Sequence, residues 1–107
     1  MRINYLLATL ATTAPGVFGR NCDKGLTYCG STLLDIGDYS SQIYEALQAY
    51  GCESPSASNY VNTLFFCVGG SDGDIIVKEI CKLCHDEGGG NNDRCLVSGG
   101  TCGDTLH

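Results

Sequence analysis

Eight cysteines in a chain of 107 residues constrain the fold more than any other feature of this sequence. A domain of this size buries only a modest part of its surface, so hydrophobic burial alone leaves it marginally stable. Disulfides supply roughly 2–4 kcal/mol each, and they persist where the protein's destination is oxidising. The even count therefore predicts four disulfides and no free thiol, formed by Cys22, Cys29, Cys52, Cys67, Cys81, Cys84, Cys95 and Cys102.

The first 19 residues have the pattern of a secretory signal peptide. Arg2 precedes an apolar segment, Ile3–Ala11, that contains no acidic residue, and Pro15 interrupts the helix that this segment favours. We place the cleavage site after Gly19, with Ala14 as the alternative. The apolar segment is too short to span a bilayer, so we expect a secreted, extracellular protein.

The predicted mature chain, residues 20–107, is a single acidic, cysteine-rich domain. The full sequence has a net charge of −6, and removal of Arg2 with the leader makes it −7. Anionic lipids and nucleic-acid phosphates repel this charge, so we expect neither a membrane nor a nucleic acid as partner. The expected oligomeric state is a monomer.

Apolar periodicity predicts one helix and three strands. From Tyr39 to Tyr50 the apolar residues recur at helical spacing, and Gly51 follows as the C-terminal stop. Strands are predicted at Leu26–Thr32, Leu64–Val68 and Ile75–Val77. The fold class is therefore α+β, a small disulfide-stapled domain with one helix packed on a three- to four-stranded antiparallel sheet.

Three polar segments connect these elements. Gly69–Asp74 is rich in glycine and aspartate and predicts a hairpin turn between the last two strands. Gly51–Asn59 and Asp86–Asp93 are predicted to be loops, and the second depends on its flanking cysteines to be ordered. The candidate binding residues lie in the turn and in the second loop: Asp72, Asp74, His85, Asp86, Glu87 and Asp93.

The spacing of cysteines, glycines and apolar residues resembles a group of small secreted cysteine-rich proteins of filamentous fungi. The matching positions are Cys22…Gly25-Leu26-x-Tyr28-Cys29-Gly30-x-x-Leu33-Leu34-Asp35-Ile36-Gly37, Leu64-Phe65-x-Cys67, Cys81, Cys84 and Asn92-Asp93-x-Cys95. The group includes biotrophy-associated secreted proteins of plant pathogens. The resemblance therefore implies an effector-like protein that acts at the host interface by binding a host or extracellular protein or glycan. It implies no reaction, so we predict no catalytic residue, cofactor or metal.

The chain departs from this group at three positions, and the departures bear on the disulfide pairing. Leu83 replaces a usual glycine, and Cys52 and Cys102 are additional. We expect the two additional cysteines to bond to each other, which would tie the end of the helix to the tail. Cys81 and Cys84 point apart in an extended chain, so each needs a separate partner, and one of them is expected to bridge to one of the first two cysteines.

Two short motifs have a functional interpretation and a simpler one. Cys81-Lys82-Leu83-Cys84-His85 matches the haem-attachment pattern C-x-x-C-H and would also suit zinc or a redox dithiol. We favour disulfides to other cysteines, because the mature chain has no methionine to serve as a haem ligand and meets an oxidising environment.

Gly69–Asp74 approximates one calcium-binding repeat, but such sites are shared between stacked copies, so we interpret it as a hairpin turn. For the acidic residues after Cys84 we favour a solvated loop over a cation site.

A small guanine-type ribonuclease is the enzymatic alternative. Such enzymes are similar to this chain in size, acidity and architecture, and they need a carboxylate base, an imidazole acid and an arginine on one sheet face. The candidates here are Glu79, His85 and Arg94, and the last two are predicted in the cysteine-rich loop rather than on strands. An inhibitor of a host hydrolase that presents a rigid loop is a further alternative. We predict a binding protein without enzymatic activity.

Overall fold

The computed structural model describes residues 20–106; the predicted leader, residues 1–19, and His107 lie outside the described residues. In chain order the elements are β1 Thr27–Cys29, α1 Gly30–Ile36, α2 Ser40–Tyr50, α3 Ala57–Asn62, β2 Thr63–Gly69, β3 Asp74–Ile80, β4 Leu83–His85 and β5 Arg94–Val97. The predicted α+β class is confirmed. Within the described range, no helix is long and apolar enough to cross a bilayer.

Strands β1, β2 and β3 form the predicted antiparallel sheet, in that spatial order. The predicted hairpin joins β2 to β3. Its turn needs glycine at Gly73, where φ is +63° and a Cβ atom would overlap the Tyr39 hydroxyl. Strands β4 and β5 form a second, two-stranded sheet that the sequence did not predict.

The main core lies between α2 and the inner face of the three-stranded sheet. Ile43 and Leu47 of α2 are fully buried in one cluster with Phe65 of β2 and Ile75 of β3. The predicted helix is confirmed, and Gly51 ends it in the left-handed conformation. A smaller cluster of Cys29, Leu64 and Cys81, with Cys84 and Cys95 packed against it, joins the two sheets.

The strand predicted over Leu26–Thr32 is wrong in its second half. Strand β1 ends at Cys29, and α1 begins at Gly30. The glycine lets α1 lie directly on α3, because a Cβ atom at this position would overlap the carbonyl oxygen of Tyr60. The helix is thus selected by a close tertiary contact, which local propensity does not reveal.

The segment Gly51–Asn59, predicted to be a loop, ends in the first residues of α3. Ser56 is the N-cap of α3. The Ser56 hydroxyl accepts a hydrogen bond from the Asn59 backbone N–H at 3.2 Å, and the Asn59 side-chain oxygen accepts one from the Ser56 backbone N–H at 2.9 Å. This reciprocal pair is a capping box in which asparagine takes the place of the usual Glu or Gln. The prediction missed the helix because that substitution hides the motif.

All eight cysteines form disulfides, and none of the described cysteines is free. The bridges are Cys22–Cys67, Cys29–Cys84, Cys52–Cys102 and Cys81–Cys95. The expected bond between the two additional cysteines is confirmed, as is the separate pairing of the two cysteines in the C-x-x-C motif. One of these bonds to Cys29, as predicted.

Candidate functional site

The outer face of the three-stranded sheet, opposite α2, carries a groove. Its volume is about 510 Å³, and we call it the outer groove. The sheet forms its floor, and the segment leading into β5 forms one wall. Its lining residues are Gly25, Thr27, Leu64, Phe66, Lys78, Glu79, Asn92, Asp93, Arg94, Cys95 and Ser98.

An irregularity in β3 brings two opposite charges into the outer groove. Leu64 lies opposite Glu79, whereas the next residue, Phe65, lies opposite Val77, so Lys78 has no partner on β2. Such a bulge turns consecutive side chains of the bulged strand toward the same face. Lys78 and Glu79 accordingly both line the outer groove.

The apolar part of the outer face is a cross-strand pair. Phe66 of β2 lies opposite Ile76 of β3, and the two side chains are 36% and 55% exposed. Val68, two residues further along β2, is 43% exposed. No helix of the described chain covers these side chains, because α2 packs on the opposite face.

The three ribonuclease candidates are only partly brought together. Glu79 and Arg94 line the outer groove, but His85 does not. The Nε of Arg94 bonds to a carboxylate oxygen of Glu87, and the His85 Nε2 lies 3.9 Å from the other oxygen of Glu87. The expectation that His85 and Arg94 lie outside strands was wrong, because they face each other across β4 and β5.

Asp93, proposed from the sequence as part of an exposed binding loop, is 3% exposed and has a structural role. One carboxylate oxygen accepts from the Cys29 backbone N–H at 2.9 Å and from the Thr32 hydroxyl at 2.8 Å. The other accepts from the Glu87 N–H at 2.9 Å. The carboxylate also lies beside the first turn of α1, where the helix dipole favours a negative charge.

The other residues of the acidic loop are at the surface. His85 and Asp86 are exposed and Glu87 is half-buried. An oxygen of Asp86 accepts from the Gly88 N–H at 2.8 Å, which closes a local turn. Of the predicted loop residues, therefore, His85 and Glu87 come together beside Arg94, whereas Asp86 supports the loop itself.

Asp72 and Asp74 lie in the β2–β3 turn, and both are exposed. Residues outside the turn fix its backbone: the Tyr39 hydroxyl donates to the Gly73 carbonyl at 2.8 Å and accepts from the Cys22 N–H at 3.0 Å. Burial raises the pKa of the Tyr39 phenol above its ordinary value of 10.0, although the hydrogen bond from Cys22 acts in the opposite direction. The two aspartates belong to a site separate from that of His85 and Glu87.

The disulfides decide between the interpretations of the C-x-x-C-H motif. Cys81 bonds to Cys95 and Cys84 to Cys29, so neither sulfur is a thiol that attaches haem or binds zinc, and the two do not form a dithiol with each other. Within residues 20–106 no group of three or more His, Cys, Asp and Glu side chains is placed to hold a metal ion.

Sequence reasoning missed most of the outer groove. Phe66 lies in a continuous apolar run, which is typical of a strand buried on both faces, yet the alternation along β2 directs it outward. Thr27, Lys78 and Asn92 gave no signal as site residues, because only the pairing of strands distant in sequence brings them together. No family model matches the chain, and neither a curated protein nor a solved structure matches it.

Proposed function

We propose that the protein is a secreted, effector-like protein of a filamentous fungus that binds a host or extracellular macromolecule through its outer face and catalyses no reaction. The observation that supports this proposal best is the exposed pair of Phe66 and Ile76 beside the outer groove. Apolar and aromatic side chains that stand uncovered and are rimmed by polar groups are typical of interaction surfaces. Here the rim is supplied by Lys78, Glu79 and Arg94.

The disulfides favour binding by a preorganised surface. Cys29–Cys84 ties β1 to the second sheet, and Cys81–Cys95 ties β5 to the end of β3. The floor and the wall of the outer groove are therefore covalently connected. A surface fixed in this way loses little conformational entropy when a partner binds.

The extracellular assignment is supported by chemistry, and the host interface by resemblance. Four disulfides in a small protein suit an oxidising compartment. The resemblance in cysteine spacing to secreted fungal proteins supplies the expectation of a plant host. The partner is a protein or a glycan, because the net charge of the mature chain opposes binding to phosphate-rich surfaces.

The binding proposal is tested with the oxidised mature protein as bait in plant apoplastic fluid and cytosol. A Phe66→Thr variant removes the aromatic ring but keeps a strand-forming residue, and Leu106→Thr is the matched control because Leu106 is 55% exposed in the tail. We expect a partner that the wild type and the tail variant retain and that Phe66→Thr loses. Equal retention by all three proteins, or by a reduced and alkylated sample, would contradict binding through the outer face.

A ribonuclease is the second candidate, and one observation favours it. Glu79 and Arg94 line the same groove, where a carboxylate base and a cation for the phosphate would be needed. Two features weigh against it: His85 lies outside the groove, and Glu87 neutralises Arg94. We expect no cleavage of guanosine-containing RNA by the wild type. Cleavage that disappears in both Glu79→Gln and His85→Ala, with unchanged melting temperatures, would reverse this assignment.

A further inference from the structure

Strand β3 has one open edge. It is the last strand of the sheet and pairs only with β2. At its C-terminal end the tail covers the edge, because the Gly100 N–H donates to the Ile80 carbonyl at 3.0 Å. Within the described range no strand covers the rest of the edge, from Asp74 to Glu79. An unpaired strand edge is a template for pairing with another strand.

The open edge is accompanied by a groove along α2. Two adjoining cavities of about 210 and 220 Å³ lie between α2 and β3 and share Ala46, Ala49 and Ile75. The alanines leave room beside the edge where larger side chains would cover it. The edge is therefore accessible both along its backbone and from the helix side.

The charges along the open edge are arranged so that two copies of the strand, placed antiparallel, would bring opposite charges together. Asp74, Ile76 and Lys78 are exposed, whereas Ile75 is buried and Val77 is half-buried. An acidic residue thus lies two positions before Ile76 and a basic residue two positions after it. Within residues 20–106 neither Asp74 nor Lys78 forms an ion pair.

From these observations we propose that the partner of this edge is a second copy of the chain, which pairs β3 with β3 antiparallel about Ile76. In that register Asp74 of each copy lies opposite Lys78 of the other, and Ile76 lies opposite its own equivalent. Directly opposed charges of opposite sign and opposed β-branched residues both stabilise antiparallel pairs. The interface is isologous, as in most homodimers, so the pair of Asp74 and Lys78 occurs twice.

A second copy fits the edge better than a peptide of another protein, because this arrangement pairs both exposed charges at once. An unrelated strand would need a cation and an anion at the same spacing. The dimer has a continuous six-stranded sheet, and the two outer faces then form one surface. The inference goes beyond the proposed function and is tested without it, because the experiment needs no host partner, although Ile76 and Lys78 also border the outer groove. The dimer differs from the monomer expected from the sequence.

The test is charge reversal at the two ends of the edge, with the oligomeric state measured by sedimentation equilibrium and native mass spectrometry. We expect the oxidised wild type to dimerise as its concentration rises toward about 1 mM, since so small an interface belongs to the weak class. Asp74→Lys places two pairs of lysines opposite each other, and Lys78→Asp places two pairs of aspartates. Each variant alone should dimerise about tenfold more weakly or not at all.

The mixture of the two variants is the decisive arm. The Asp74→Lys chain then offers only lysines and the Lys78→Asp chain only aspartates, so their heterodimer has two ion pairs and should form at least as readily as the wild-type dimer. Asp86→Lys and Lys82→Asp make the same charge changes at exposed positions outside β3 and should leave dimerisation unchanged. A wild type that stays monomeric throughout, single variants that dimerise like the wild type, or a mixture that forms no heterodimer would each overturn the proposal.

Discussion

Asp93 holds the cysteine-rich loop from inside the molecule. Its carboxylate accepts hydrogen bonds from β1, from α1 and from the loop itself, and its backbone N–H donates to the Thr27 carbonyl at 3.0 Å. The neighbouring Asn92 accepts from the Thr27 N–H at 2.9 Å. The segment therefore covers the edge of β1 and places Arg94 at the wall of the outer groove.

Replacement of Asp93 by asparagine should lower the free energy of unfolding by about 2–3 kcal/mol, because the amide NH2 group must face either the Glu87 N–H or the Cys29 N–H, each of which needs an acceptor. Asp86→Asn is the matched control. Its side-chain oxygen can still accept from the Gly88 N–H at the surface, so the change should stay within about 0.5 kcal/mol. Urea unfolding of the two variants and the wild type measures both values. Equal stabilities would show that Asp93 does not hold the loop.

The burial of the Tyr39 phenol leads us to expect that the protein becomes less stable in alkaline solution. Its pKa is raised in the folded state from 10.0, mainly by burial, so the unfolded chain releases this proton first as the pH rises. The stabilisation by the neutral phenol is thus complete below about pH 10 and is lost as the pH rises through the folded pKa. Tyr39→Phe should cost about 1–3 kcal/mol near neutral pH, since two hydrogen bonds of the hydroxyl are lost.

The difference in unfolding free energy between the wild type and Tyr39→Phe should therefore shrink above about pH 10. Tyr50→Phe is the control, because it removes the same hydroxyl group from a tyrosine that is 54% exposed. Urea titrations from about pH 7 to 11 give both differences. A Tyr39 difference that stays constant over this range would contradict the role of burial.

Among the helices and strands, those specified by a local sequence pattern were predicted correctly, whereas those specified by contacts between distant residues were missed. Helix α2 has a long amphipathic pattern and a glycine stop, and its predicted limits were correct within one residue. The β2–β3 hairpin has a turn rich in glycine and aspartate between two apolar runs. Helices α1 and α3, of seven and six residues, are too short for periodicity to distinguish them from strand or loop.

The candidate site was less predictable than the fold for the same reason. The acidic turn and loop are visible in the sequence as surface segments, and Asp72, Asp74, His85 and Asp86 are indeed exposed. Burial of Asp93 follows from its partners on β1 and α1, which lie more than 60 residues away in the sequence. Charged loop residues are rarely buried, so no local rule singles out this one.

The contact between α1 and α3 gives a prediction at this scale. Gly30→Ala should lower the free energy of unfolding by about 1–3 kcal/mol, because the added methyl group overlaps the Tyr60 carbonyl oxygen and the two helices must move apart. The control is Gly89→Ala, where φ is not positive and the added Cβ atom meets nothing within 4 Å. Thermal unfolding should show a lower melting temperature for the first variant only. A stabilised Gly30→Ala protein would mean that helix propensity outweighs the contact.

For the whole molecule, three disulfides join residues of the two cores, and the fourth, which we call the peripheral bridge, joins Cys52 of the main core to Cys102 in the exposed tail. Cys22–Cys67 lies in the main core, and Cys29–Cys84 and Cys81–Cys95 build the smaller cluster. Cys52–Cys102 instead joins the segment after α2 to the tail. The residues that form the sheet, the second sheet and the outer groove are thus connected without the peripheral bridge.

This division predicts the order of reduction under native conditions. A thiolate must reach a disulfide sulfur to attack it, so access controls the rate. Cys102 is exposed, whereas each of the other three bridges joins a buried cysteine to one that is buried or half-buried. Brief treatment with a dilute thiol, followed by alkylation and peptide mapping, should therefore label Cys52 and Cys102 before any other cysteine.

The singly reduced protein should remain folded. Opening a bridge of sequence separation 50 costs about 4 kcal/mol in the chain-entropy model, so the melting temperature should fall while the transition stays cooperative. A Cys52→Ser/Cys102→Ser variant should behave in the same way and retain the protease resistance of the Asp86–Asp93 loop. A Cys81→Ser/Cys95→Ser variant should lose that resistance, because it removes a bridge that closes the loop. First labelling at Cys29 or Cys84 would contradict the control of reduction by access. An open loop in the Cys52→Ser/Cys102→Ser variant would show that the bridge to the tail holds the central structure.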